Sequence, residues 1–416
     1  MQRQIPSAAL AAALLLALPG CAAVGDARER DLDARGPITF AMGANDTGKL
    51  LPVVEAWNAA RPEEPVTLHE LPQESDGQRE TLVQSLQAHS GDYDVMALDV
   101  TWTAEFAANG WLQPLAGPMS LDTSGLLPAT VESATYRDTL YAAPQNTNAQ
   151  LLFYRTDIVP EAPGSWQELL AHCPQAEAAG LDCLLLQLKN YEGLTVQATQ
   201  AVGAWGGRIV AEDGLTPAAD SPDAAAGLEA LVAAYRDGHV PARANGFTEE
   251  ETNLAFLAGE SVFAYNWPYM YDTARNEPTS TIGDSFAVAP IVGPDGTGAS
   301  TLGGYNNGIN VYGEHKATAR DFIAFVQNEE NQRAFAEQSF PPVLASVYDD
   351  PGLVAAHPYL PALKTALEHA SPRPGSPFYA TVSKAIRDNV AAALSGERSV
   401  EQALRDIDAA VATAAR

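Results

Sequence analysis

The sequence predicts an α/β protein of two lobes with a helical C-terminal part. Three observations carry that expectation. From residue 37 onward, strand-like and helix-like segments alternate in a β-α-β-α-β rhythm, the pattern of a doubly wound sheet. The chain has 416 residues, and the 396 left after a leader of 20 (416 − 20) are too many for one compact core. Beyond residue 320 the apolar periodicity turns almost wholly helical.

In chain order, Arg3 precedes an apolar run over 8–18, followed by Leu18-Pro19-Gly20-Cys21. The run is too short to span a bilayer and has the layout of an export signal over residues 1–20. A small residue before a cysteine is how bacterial lipoproteins present a thiol for diacylglycerol attachment, so Cys21 is expected to carry lipid. The alternative is an ordinary signal peptide with an incidental cysteine. Residues 21–36 are charged and poor in apolar anchors, and read as a flexible tether.

The folded part opens with an apolar run at 38–42. A helix-periodic stretch follows at 50–60, with Leu50, Val53, Val54 and Trp57 on one face. Residues 66–71 alternate, 81–88 are amphipathic, and 94–100 (DVMALDV) form an apolar strand. Residues 140–155 and 286–292 read as extended, with 151–154 and 287–291 carrying the chain between lobes. Helices are expected over 320–327, 331–338, 361–369, 378–394 and 400–414. One lobe is then 37–143 plus 290–327, the other 144–289 plus 328–416.

Apolar content of 46% is ordinary for a globular protein. Net charge is −28, from 24 basic and 52 acidic residues, and loss of Arg3 with the leader takes it to −29 (−28 − 1). Such a surface repels phosphate backbones and anionic headgroups, which excludes nucleic acid as a partner. A neutral or cationic small ligand suits it better than an anion. Of three cysteines, Cys173 and Cys183 remain after Cys21. In an oxidising compartment they suggest a local disulfide, with a pair of buried thiols as the alternative. Only His172 stands nearby and the spacing fits no zinc pattern, so no metal is expected.

Residues 43–49 (GANDTGK) mimic a phosphate-binding loop, but Leu50 stands where a magnesium-binding Ser or Thr is required, and Asp46 sits inside the loop. The geometry still offers backbone N–H groups at a helix start, with Asn45 and Asp46 for hydroxyls. Nucleophile elbows, HExxH sites and calcium loops are absent from the sequence, and no carboxylate pair is singled out by its neighbours. Residues 265–271 (YNWPYMY) place four aromatic rings where a strand meets a helix. Core packing is the plain explanation, yet rings beside a polar amide also make a platform for the C–H face of a sugar. Residues 303–307 (GGYNN) form a second polar-aromatic loop, and Arg373 is held between Pro372 and Pro374.

The segments 94–112, Tyr191-Glu192-Gly193-Leu194, Asn266-Trp267-Pro268-Tyr269, Leu302-Gly303-Gly304, Tyr348-Asp349-Asp350-Pro351 and Pro372-Arg373-Pro374 resemble those of the solute-binding lipoproteins of ABC sugar importers, most of all the trehalose/maltose-binding proteins. The resemblance covers nearly all of the chain after the leader. It implies the periplasmic-binding-protein-like fold: two lobes closing on a sugar in the cleft between them. It also implies no catalysis, no cofactor, and a monomer that meets an ABC permease from a lipid anchor.

By position, Asp99 matches the family's sugar-binding aspartate, Trp267 and Tyr269 its stacking rings, and Arg373 its PRP arginine. Arg79 and Asp46 match polar ligand contacts, with Asn45 and Gly304 beside them. The chain also departs from the pattern. Asn148 stands where an aspartate is common, Asn146 replaces an aromatic residue, and Tyr305 replaces a tryptophan. The expected ligand is a small neutral α-linked glucose disaccharide, trehalose first; maltose, sucrose, or a carbohydrate-active enzyme are the alternatives.

Overall fold

The computed structural model of the chain describes residues 32–211 and 213–415; the expected leader, Cys21 and most of the expected tether lie outside these. The first sheet is built as its sequence rhythm requires. Strand β1 (Ile38–Gly43) leads into α1 (Thr47–Ala60), which buries Leu50, Val53, Val54 and Trp57 at helical spacing. Asn58 on α1 then clasps the backbone of Val66, accepting from its N–H at 2.7 Å and donating to its carbonyl at 2.9 Å. That fixes the start of β2 (Val66–Leu71). Helix α2 (Ser75–Gln87) returns the chain to β3 (Val95–Asp99), whose five residues are all buried.

The chain continues through α3 (Thr103–Ala108), α4 (Pro128–Ser133) and a small hairpin of β4 (Thr135–Tyr136) and β5 (Thr139–Leu140) to β6 (Ala142–Ala149). The second sheet follows: β7 (Leu151–Arg155), α5 (Trp166–Ala171), α6 (Cys173–Ala178), β8 (Asp182–Leu185), α7 (Glu192–Ala204), α8 (Pro222–Arg236), α9 (Glu249–Leu257), β9 (Ser261–Asn266), α10 (Tyr269–Asn276) and β10 (Phe286–Pro290). Strand β11 (Thr301–Ile309) goes back to the first sheet, then α11 (Lys316–Val326), α12 (Glu329–Glu337), α13 (Pro351–Ala356) and α14 (Tyr359–Glu368). A two-residue β12 (Ser371–Pro372) and the long helices α15 (Tyr379–Leu394) and α16 (Val400–Ala414) complete the described chain.

The first sheet runs β12-β11-β3-β1-β2, with β6 also on β11; β1 is parallel to β2 and β3, and β11 is antiparallel to β3 and β6. The second runs β10-β7-β9-β8. Cys173, opening α6, and Cys183 in β8 are joined by a disulfide. Each sheet has its own core. Phe40, Trp57 and Phe322 fill one, Leu152, Leu184, Phe263 and Ile386 the other.

Three sequence boundaries need correction. The lobe limit expected at 143/144 falls inside β6, which pairs with β11 from Ala142 to Ala149, so the strand belongs wholly to the first sheet. Residues 151–154 and 287–291, expected to cross between lobes, lie largely in the paired strands β7 and β10 of the second sheet. Residues 328–340, expected in the second lobe, give Phe335 and Phe340 to the first core, because α12 packs back onto α11. Beyond 340 the chain crosses again, as α13 and α14 pack on the second sheet, β12 rejoins the first, and α15 and α16 return to the second core. The two earlier crossings are at Gln150 and in the stretch 291–300. They are tied together: Ser300 Oγ donates to the Gln150 carbonyl at 3.0 Å. The buried Gln150 side chain meets Gln187 and Gln197 at 2.9 Å.

Candidate functional site

The two sheets point their strand ends at a shared cleft. A cavity of 440 Å³ lies there, within the usual range for a small-molecule site. Its lining comes from both halves. Asn45 and Asp46 follow β1, and Asp99 ends β3. Glu192 opens α7, Trp267 and Tyr269 join β9 to α10, and Tyr305 lies on β11.

At one wall is a buried charge triad. The Arg373 side chain is 2% exposed. Its Nη2 donates to Asp99 Oδ1 and Oδ2 at 2.9 and 3.1 Å, and its Nη1 to Glu192 Oε1 at 2.6 Å. Asp99 Oδ1 also accepts from the Thr101 backbone N–H at 3.0 Å and hydroxyl at 2.9 Å. Glu192 accepts from the Tyr379 hydroxyl, and from Ser383 Oγ at 2.5 Å. Burial pushes the Glu192 carboxyl above its ordinary range, although Arg373 pulls the other way. Burial works against the Arg373 charge too, but Asp99, Tyr379 and Glu192 outweigh it and hold the guanidinium more basic than usual. The triad links the first sheet, the second-lobe helices α7 and α15, and the segment after β12.

The opposite feature is aromatic. Asn266 is fully buried at the end of β9; its Nδ2 donates to the Glu249 carbonyl at 3.0 Å and its Oδ1 accepts from the Trp267 N–H at 2.8 Å. This fixes the half-buried indole of Trp267 against Gly303: a Cβ there would lie 3.0 Å from two indole carbons. Gly304 has φ +118° and its absent Cβ would sit 2.4 Å from the Asn146 carbonyl, so no other residue fits that turn of β11. The Tyr269 hydroxyl reaches Glu250 Oε2 at 3.5 Å, and the Tyr305 hydroxyl donates to Gln78 Oε1 at 3.3 Å. Asp46 accepts from Asn45 Nδ2 at 2.8 Å, and burial pushes its carboxyl up to about 6.

Of the residues expected from sequence, Asn45, Asp46, Asp99, Asn148, Trp267, Tyr269, Gly304, Tyr305 and Arg373 line this cavity. Two do not. Arg79 turns away to fork Glu105 on α3, with Nε to Oε2 at 2.9 Å. Asn146 is 1% exposed and lies in the sheet opposite Tyr305, where its Oδ1 accepts from Gln145. Sequence reasoning missed Glu192, Glu249, Glu250, Gly303 and Phe340 as lining residues. Glu192 stood inside the quoted Tyr191–Leu194 segment. Glu249 and Glu250 open α9 behind the Thr248 cap, a position that reads from sequence as helix-start chemistry alone. Among the described residues no cluster of metal-ligating side chains is present, and no helix is long and apolar enough to cross a membrane.

Two sheet-based halves, joined by several crossings of the chain around a lined cleft, define a ligand-binding receptor of the two-lobed class. The chain belongs to the bacterial extracellular solute-binding protein family, matched over residues 53–362. It is thus a binding component of solute transport that works outside the cytoplasm, not an enzyme. A protein of Deinococcus radiodurans described as a probable ABC transporter-binding protein is 28% identical over 374 residues, covering 86% of this chain and 88% of its own. A mannitol-binding protein of Pseudomonas aeruginosa is 25% identical over 362 residues, 78% of this chain and 81% of its own. Among solved structures, maltose-bound T. maritima MalE3 superposes with a TM-score of 0.84 at 31% identity, covering 90% of this chain and 98% of that one. The GacH receptor of Streptomyces glaucescens, solved unliganded and with acarbose, has a TM-score of 0.82 at 23% identity over 91% and 98%, a likeness of fold.

Proposed function

We propose that this chain is the substrate-binding component of an ABC sugar importer. It takes trehalose or a related α-linked glucose disaccharide into the cleft and delivers it to the permease. The observation that carries the reading is the Trp267 indole held on Gly303, in the same cavity as the Asp99–Arg373 pair. A sugar stacks a C–H face on a ring and turns its hydroxyls to carboxylates and guanidinium donors. The ligands named for similar proteins, maltose and mannitol, are neutral and hydroxyl-rich, in keeping with an acidic receptor. Tyr305 in place of a larger ring leaves less aromatic floor for long maltodextrins, which favours a compact disaccharide. Anchoring through a lipidated Cys21 belongs to the same proposal, as does a monomeric receptor that binds one sugar.

Calorimetry against trehalose, maltose, sucrose, mannitol and maltotriose tests it. Trehalose is expected to bind with an affinity of order micromolar, about −8 kcal/mol. Trp267→Ala is expected to weaken it by on the order of tenfold or more. Tighter binding of maltotriose, or intact binding in Trp267→Ala, would overturn the ligand or the site.

A further inference from the structure

Seven carboxylates and one guanidinium line the cavity. Four of the seven are accounted for. Asp99 and Glu192 hold Arg373, Glu74 accepts from Lys189 at 2.6 Å, and Glu251 closes the capping box of α9 with Thr248. Asp46, Glu249 and Glu250 remain. Among the described residues none of the three has a cation in salt-bridge range. Their partners are neutral: Asn45 for Asp46, the Tyr191 hydroxyl at 2.5 Å for Glu249, and the Tyr269 hydroxyl at 3.5 Å for Glu250. Lys49, one turn along α1 from Asp46, instead gives its Nζ to the Gln338 carbonyl at 2.9 Å and lies 3.5 Å from Asp272.

A second observation comes from the hydrogen-bond inventory. Arg373, itself 5% exposed, has its Nε buried without a protein partner, and Asn148 Oδ1 is buried without one. Both residues line the same cavity. The balance is acceptor-heavy. Three carboxylates and the Asn148 oxygen can only accept. A sugar hydroxyl brings one donor and two lone pairs that themselves need donors. A protonated amine brings three donors, no acceptor, and a charge. The rings of Tyr269 and Tyr305 line the same cavity, one from each half, and tolerate a cation on their faces.

We propose that the cleft takes glycosides carrying a protonated amine in preference to their neutral counterparts, the ammonium seated among Asp46, Glu249 and Glu250. Burial raises the Asp46 and Glu249 carboxyls, which is the state a neighbouring cation relieves. The proposal rests on the reading of this cleft as a disaccharide site and narrows the chemistry of what enters it.

The test is calorimetry on the intact folded receptor with each neutral disaccharide that binds and with its positional monoamino derivatives, the amine protonated, over a series of salt concentrations. At low salt, at least one amino derivative is expected to bind on the order of tenfold tighter than its parent. The ratio of the two affinities should shrink as salt rises, and shrink again in Glu250→Gln. Melting curves of that variant show whether it is folded. Amino derivatives that all bind no tighter than the neutral parent overturn this inference and leave the disaccharide reading standing. A gain that ignores both salt and Glu250→Gln also overturns it. Binding of neither form of any disaccharide overturns both.

Discussion

Arg373 and Asp99 meet through a single nitrogen: Nη2 donates to both carboxylate oxygens, at 2.9 and 3.1 Å, which leaves Nη1 free for Glu192 at 2.6 Å. One buried cation therefore pairs with two carboxylates that reach it from different elements, β3 and α7. Removing it would strand both charges away from water. Breaking a buried pair from one side costs about 3–5 kcal/mol, well above what an exposed pair is worth. Arg373→Ala is expected to lower the urea midpoint accordingly. Arg373→Lys should lose less, since the ammonium keeps the charge but not the fork. An Arg373→Ala protein that unfolds at the parent's midpoint would refute the triad's structural weight.

Asp46 sets a pH dependence of definite sign. Its folded carboxyl is raised from 3.8 to about 6 by burial. Between those values the folded state keeps a proton that the unfolded state has lost, so this group's contribution to stability falls as pH rises. The penalty is complete above about 6 and gone below 3.8. Asp46→Asn removes it and can still accept from Asn45. The variant is expected to melt above the parent at neutral pH and level with it below 3.8. Glu64, held low by Arg35, acts with the opposite sign, losing its contribution as pH falls. The difference between variant and parent cancels that background. A difference that is flat with pH would show that Asp46 is not the group responsible.

The Cys173–Cys183 disulfide closes a loop with a sequence separation of 10, joining α6 to β8 at the edge of the second core. On the chain-entropy account such a loop is worth about 2–3 kcal/mol. Cys173→Ser with Cys183→Ser, or reduction of the parent, is expected to lower the unfolding free energy by that amount and the urea midpoint with it. Coincident midpoints with and without reductant would show that the core holds this corner unaided.

What the sequence made legible was whatever is decided locally. Strand β3 reads as a strand because all five of its residues are buried, so its apolar run is unbroken. Helices α15 and α16 keep their apolar faces within a residue of the expected limits because one face of each packs on the second core. The sequence hid what depends on distant partners. Strand β6 (AAPQNTNA) falls in the stretch that reads as extended, but its place is set by β11, far along the chain, which pairs with it from Ala142 to Ala149 and puts it wholly in the first sheet. Arg79 misled because a charged side chain on α2 has two ways to turn, and Glu105 on α3 draws it away from the cleft. Glu249 and Glu250 looked like an ordinary acidic helix start. Only the folded position of α9, against Asn266 and Tyr269, brings them to the cavity wall.

Three ion pairs cross between the halves around the cleft. Lys189 Nζ lies 2.6 Å from Glu74, Arg387 Nη1 2.7 Å from Asp76 beside the same end of α2, and Lys49 Nζ 3.5 Å from Asp272 between α1 and α10. All three are partly exposed, so each is worth about 0.2–1 kcal/mol and is screened by salt. They exist only when the halves are together, and so add to ligand affinity through closure. A neutral sugar carries no charge for salt to screen. Any loss of its affinity with rising salt therefore reports these contacts. About 1 kcal/mol summed over the three is roughly a fivefold weakening. Glu74→Lys should reproduce part of that loss at low salt, and adding Lys189→Glu should restore it by re-forming the pair with its signs exchanged. Affinity for a neutral disaccharide that does not change with salt, or a double variant no better than Glu74→Lys alone, would show that closure does not draw on these pairs.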